Sequence, residues 1–148
     1  MDFKVLNSKE VKEIRHILER QYGAGEKLAY SFLLTGNNDI YVANQSIKSL
    51  DFKSVRINTI GIYFGELKDD EIRLSIEGSQ IIGPLAKKNV FDTDSKIGRM
   101  WMYGLDIPCK EEFNEFVIIK SGNDFMGAGR YKEGKILNHV PKGRRIHE

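Results

Sequence analysis

FVIIKSGNDFMGAGRYKEGKILNHVPKGRRI, residues 116–146, carries the clearest structural pattern in the chain. Its first five residues, FVIIK (116–120), form a short apolar run between polar neighbours, which suits a strand inside a closed sheet or barrel. SGND (121–124) is a turn, and FMGAGRY (125–131) is a second strand whose glycines suit bending or close backbone approach. KEG (132–134) is a further turn, and KILNHV (135–140) completes the pattern as the last strand. This part of the chain therefore reads as β-rich with short loops.

Working toward the amino terminus, LAKKNVFDTD (85–94) leads into a helix near 95–103, capped by Asp94 or Ser95 and ended by Gly104. Gly83 and Pro84 break the pattern before it. Upstream of the break lie four strand candidates, 29–34, 40–43, 55–64 and 72–76. GNND (36–39) joins the first two as a hairpin, and KDDE (68–71) is the turn before the last. In that last strand Ile72, Leu74 and Ile76 alternate with Arg73, Ser75 and Glu77, the mark of one covered face. The chain opens with a short strand, 3–6, and an amphipathic helix, 8–22, capped by Asn7 or Ser8, with Glu10 able to close a capping box on Asn7. Val11, Ile14, Ile17, Leu18 and Tyr22 make its buried stripe, and Gly23 and Gly25 stop it.

The expected fold class is α+β. Residues 1–82 form a small unit of one helix on an antiparallel sheet, and residues 83–148 form a β-rich module. Each holds too few residues for much core of its own, so burial between the two is expected to contribute to stability.

Length and composition exclude several classes. With 148 residues and 17.0 kDa the chain is far short of the roughly 250 residues of a (β/α)₈ barrel. Its 41% hydrophobic and 30% charged residues, with three prolines, describe a folded domain. Cys109 is the only thiol, so no intrachain disulfide is expected, and His16, His139 and His147 lack zinc-ligand spacing. No apolar leader and no long apolar run occur, so a cytoplasmic protein without a membrane partner is expected.

Motifs for catalysis are thin. GRYKEGK (129–135) has the glycine and lysine spacing of a phosphate-binding loop, but Ile136 stands where Ser or Thr would bind magnesium, and a strand rather than a helix follows. The GAG runs at 23–25 and 127–129 lack the strand–turn–helix setting of a dinucleotide fingerprint. The acidic pairs Asp69/Asp70, Asp92/Asp94 and Glu111/Glu112 fit turns or a helix start, and Cys109 with His139 is a weak nucleophile–base candidate. Hence no catalytic site, metal or cofactor is expected, and the protein reads as a non-enzyme.

Charge distribution says more. The net charge of +2 divides into +4 on residues 129–148 and −2 on the remainder, a basic end on an acidic body. Such asymmetry is the footprint of phosphate contact. The candidate RNA-binding residues are Arg130, Lys132, Lys135, Lys142, Arg144 and Arg145, extended by Lys87, Lys88 and Arg99 near the second helix. Tyr131, between two cations, is either a stacking platform for an unpaired base or a core residue.

Residues 85–146 resemble a PUA-type RNA-binding domain. NVFDTDSKIGRMWMYGLDI (89–107) resembles the family's opening strand, helix and glycine-containing turn, and residues 116–146 its remaining strands, with Gly127 and Gly129 in the strand that usually carries a glycine. ILNHVPKGRRI (136–146) is most similar to the PUA-like carboxyl-terminal module of Sun-type RNA cytosine methyltransferases and their short archaeal relatives. IRLSIEGSQIIGP (72–84) resembles the junction between a pre-PUA domain and a PUA module in small ribosome-biogenesis factors. The acidic KEEFNE (110–115) departs from the family's usual RNA-facing loop and moves the expected contact toward the basic end. The resemblance implies a C-terminal β-pseudobarrel and a module that binds structured rRNA or tRNA without catalysis of its own. Its implied partners are an RNA methyltransferase or a ribosome-assembly factor. The alternative is a protein-interaction adaptor that docks on such a partner through the sheet of the first unit.

Overall fold

The computed structural model describes residues 2–45 and 61–147. It is a mixed α+β fold with three α-helices and two five-stranded sheets among those residues. None of these helices is long and apolar enough to cross a membrane.

The first sheet holds β1 (Phe3–Val5), β2 (Ser31–Thr35), β3 (Asp39–Ala43), β4 (Ile62–Lys68) and β5 (Glu71–Leu74) in chain order, all antiparallel. Local chemistry sets its boundaries. Helix α1 (Ser8–Tyr22) begins at Asn7, whose side chain accepts from the Glu10 amide while the Glu10 carboxylate accepts from the Asn7 amide. Gly23, at φ +64°, ends it. Asn38 supplies positive φ in the first hairpin, and Asp69 and Asp70 supply it at both central positions of the second, as a type I′ turn requires. The strand expected over 55–64 lies in part outside the described residues, and its described portion begins β4 at Ile62.

Ile14, Leu18 and Tyr22 of α1 pack on Phe32, Ile40, Phe64 and Ile72, with the Phe32 and Phe64 rings edge-on at 5.6 Å. At the free edge of β5 the buried Gln21 side chain stands in for a further strand. Its Oε1 accepts from the Ile72 amide at 2.6 Å, its Nε2 donates to the Ile72 carbonyl at 3.3 Å, and the Tyr22 hydroxyl donates to the same carbonyl at 2.8 Å.

Three expectations need correction. The strand expected over 72–76 stops at Leu74, because Ser75 is the N-cap of α2 (Ile76–Ile82): its Oγ accepts from the Gly78 amide at 2.9 Å. Ile76, which completes the period-two pattern, is buried instead in the core of the second sheet. The strand expected over 29–34 is β2, with Ala29 and Tyr30 exposed and outside it. KILNHV is a strand only at its start, β10 (Lys135–Ile136). Asn138 diverts the rest: its Nδ2 donates to the carbonyls of Trp101 and Leu105, and its Oδ1 accepts from the Val140 amide.

The second sheet has the order β6-β8-β9-β10-β7, with β6 (Val90–Thr93), β7 (Ile107–Pro108), β8 (Phe116–Ser121) and β9 (Asp124–Lys132). β6 runs parallel to β8, and the connection between them contains α3 (Ser95–Met102), capped by Asp94. Trp101 of α3 is buried and donates its indole N–H to the Met126 carbonyl at 2.7 Å. Gly129 of β9 is needed for close approach, since a Cβ there would lie 2.2 Å from the Leu137 carbonyl oxygen.

Between the sheets sits α2. A Cβ on Gly78 would lie 1.9 Å from the Phe64 carbonyl oxygen, so the helix rests directly on the backbone of β4. On its other side the buried Ser79 hydroxyl donates to the Ile76 carbonyl and accepts from the Gly127 amide of β9, both at 2.7 Å. The larger hydrophobic cluster correspondingly continues from the first sheet through Ile82 to Ile118 and Ala128 of the second.

Gly78→Ala forces α2 off β4 and is expected to destabilise the fold by about 1–3 kcal/mol. Gly36→Ala, where a Cβ meets nothing within 4 Å, is the control and should leave the urea midpoint almost unchanged.

Candidate nucleic-acid interface

The basic residues divide by what their side chains touch. Lys132 and Lys135 are Cα partners across the β9–β10 hairpin, whose turn residues Glu133 and Gly134 have φ +47° and +82°. Both lysines are exposed, and neither has an ion pair among the described residues. The Gly134 carbonyl accepts from the Cys109 amide at 2.8 Å, which ties the hairpin to the end of β7 and brings the exposed Lys110 alongside. GRYKEGK is thus the end of one strand, a two-residue turn and the start of the next, without the helix that a phosphate-binding loop requires.

The turn after Pro141 (Lys142–Arg144) holds the other cations of the basic end. Lys142 is exposed, with no acidic partner among the described residues. Arg144 forms a two-pronged pair with Glu77 in the first turn of α2, at 3.0 and 2.8 Å. That pairing holds the Glu77 carboxyl below its usual range and raises Arg144. Arg145 donates from Nε to the Val140 carbonyl at 3.0 Å, and its side chain crosses Gly104, beyond the carboxyl end of α3, where a cation is favoured. The tail is seated there by the Ile146 amide, which donates to the Met102 carbonyl at 2.9 Å.

Arg130 bridges the two sheets. Its guanidinium lies 4.4 Å from the Phe116 ring centroid and 2.5 Å from the Glu71 carboxylate. Lys87 donates to the Gly23 carbonyl at 2.9 Å and lies 3.6 Å from Glu26, while Lys88 is exposed beside it. These two lysines flank a groove of about 870 Å³ whose other lining includes Arg20, Glu111, Glu112 and Glu115, a surface of mixed sign. Arg99 is exposed on α3. Tyr131 is half-buried and edge-on to Phe113 at 6.3 Å, and Phe113 in turn meets Phe91 at 6.0 Å. Its ring is therefore attached to the core of the second sheet.

Cys109 and His139 have separate surroundings. The buried thiol donates to the Glu111 carbonyl at 3.2 Å, and burial pushes its pKa up, away from a reactive thiolate. His139 is exposed yet edge-on to Phe116 at 6.2 Å, and partial desolvation there, followed by the charges of Arg73 and Arg130, lowers its pKa. Among the described residues no group of three or more His, Cys, Asp or Glu side chains could hold a metal ion.

Sequence reasoning missed Lys110, because nothing local links it to the hairpin. It also missed Glu71 and Glu77, which occupy two of the arginines from 59 and 67 residues away. Compared with protein-family models and with curated proteins, the chain matches none.

Glu77 is more readily ionised in the folded state than in the unfolded chain, so its contribution to stability is present above the ordinary value of 4.5 and disappears as pH falls through the lowered folded value. Glu77→Gln is therefore expected to destabilise the protein near neutral pH. Denaturant titrations should show the gap from the wild type closing as the pH falls below 4.5.

Proposed function

We propose that the protein binds structured RNA, rRNA or tRNA, as a pre-PUA plus PUA pair of units, and does so without catalysis of its own. In this reading it serves RNA modification or ribosome assembly beside a methyltransferase or an assembly factor. The observation that carries the reading is the pairing of Lys132 with Lys135. Like charges directly opposite each other on a hairpin are destabilising, and no acid among the described residues pairs with either of them. A phosphate backbone supplies the missing negative charge.

Lys142 joins the same reading as an exposed cation of the basic end, and Lys110 extends the hairpin patch. Arg130, Arg144 and Arg145 support the surface by holding the chain in place, since each is already engaged by a carboxylate or carbonyl. Lys87, Lys88 and Arg99 contribute at most to its margins. Shape and 2′-hydroxyl contacts, rather than stacking on Tyr131, would then provide selectivity.

Replacing Lys132 and Lys135 together by Ala is expected to weaken binding to a structured tRNA while leaving the thermal unfolding midpoint unchanged or slightly raised, since the variant also removes the like-charge pair. The slope of log affinity against log salt should flatten by about 0.7–0.9 for each phosphate that the variant no longer neutralises. Unchanged affinity and slope in a fluorescence titration would remove the hairpin from the interface.

A further inference from the structure

A five-stranded sheet is roughly 20 Å across, whereas one helix with its side chains is about 10–12 Å wide. Helix α1 therefore cannot cover the first sheet alone. Its last turn closes over β5, where Tyr22 and Gln21 bond to Ile72. Toward its amino end the cover stops short, and a groove of about 330 Å³ remains between α1 and the ends of β2 and β4.

The floor of this groove is aliphatic: Leu6 and Ile14 lie at its base, and Ile17, Leu34 and Leu67 are partly exposed along its walls. Its rim is acidic. Glu13 and Asp70 have no ion-pair partner among the described residues, while the Glu10 carboxylate is held by Lys4 at 2.7 Å and by the Asn7 amide. His16 completes the helix side. Lys9, one turn before Glu13, lies outside the groove's lining and makes no ion pair with it, Lys12 and Arg15 fall farther round α1 by its 3.6-residue period, and Arg20, which donates to the Asp70 carbonyl, is neutralised by Glu115 at 2.7 Å.

We propose that this groove is a docking site for a basic amphipathic segment of a protein partner, with leucine-like side chains entering the aliphatic floor and lysines or arginines meeting Glu13 and Asp70. Charge complementarity selects this occupant. Exposed carboxylates repel RNA phosphates and anionic lipid headgroups alike, whereas a short helix with apolar residues at i, i+3, i+4 and i+7 satisfies both floor and rim. The groove lies on the first unit, and the basic hairpin on the second, so a basic protein segment and an RNA would occupy different surfaces of one chain. This site stands independently of the RNA-binding reading.

The test uses the whole chain and a labelled helical peptide of leucine and lysine with that spacing, titrated by fluorescence anisotropy. Glu13→Lys combined with Asp70→Asn is expected to weaken binding about tenfold, equivalent to about 1.4 kcal/mol. Asn is chosen because Asp70 has φ +58°, which Asn tolerates. Leu67→Ser should weaken binding without changing charge, and a peptide with serines in place of its leucines should bind far less tightly. Glu111→Lys with Glu112→Lys reverses acids outside the groove and should leave binding unchanged. Circular dichroism melting of each variant separates lost binding from lost fold. Equal binding by the first variant or equal binding of the serine peptide would each overturn the proposal.

Discussion

The contact of α2 with both sheets is the constraint on which the rest of the architecture depends. Gly78 brings the helix against the Phe64 carbonyl, and about 100° around the helix Ser79 receives the amide of Gly127. A side chain at position 78 would open the first contact. Loss of the hydroxyl at 79 would strand a buried amide, which costs about 1–3 kcal/mol. The larger hydrophobic cluster runs from Ile14 and Phe64 to Ile118 and Ala128, so α2 joins the first sheet to one face of the second, whose other residues keep a separate core around Trp101, Val117 and Ile119. The polar bridges at the rim, Arg20 to Glu115 and Arg130 to Glu71, then orient one sheet against the other.

Those bridges also sort the cations by chemistry. Arginine's planar fork matches a carboxylate, and Arg144 uses two nitrogens on the two oxygens of Glu77. Lysine is a compact, strongly hydrated charge, and Lys132, Lys135 and Lys142 remain in solvent. The arginines of the basic end thus work mainly inside the fold, and its field toward solvent comes mainly from lysines. At the other end, the Glu13 and Asp70 carboxylates face outward beside uncovered aliphatic side chains. The two surfaces attract opposite kinds of charge.

Local signals were legible wherever a few neighbouring residues decide the outcome. Asn7 with Glu10, Asp94 ahead of α3, and the Asp69–Asp70 turn behave as short-range chemistry demands. Ser75 was misread because a period-two alternation through Ile72, Leu74 and Ile76 fits a strand as well as it fits a strand ending at a helix cap. Only the position of the Gly78 amide separates the two. KILNHV failed for a related reason: Asn138 prefers the Trp101 and Leu105 carbonyls, more than thirty residues earlier, to a strand ladder.

By itself the sequence determined the α+β class, the cap regions of α1 and α3, the hairpin turns, and the division into an acidic body and a basic end. These rest on composition and on interactions within a few residues. Tertiary structure alone decided which cations stay free, where α2 lies and which strip of the first sheet is uncovered. Each of those outcomes depends on groups far apart in the chain meeting in space. Glu71 and Glu77 neutralise arginines 59 and 67 residues away, and no local pattern records that meeting.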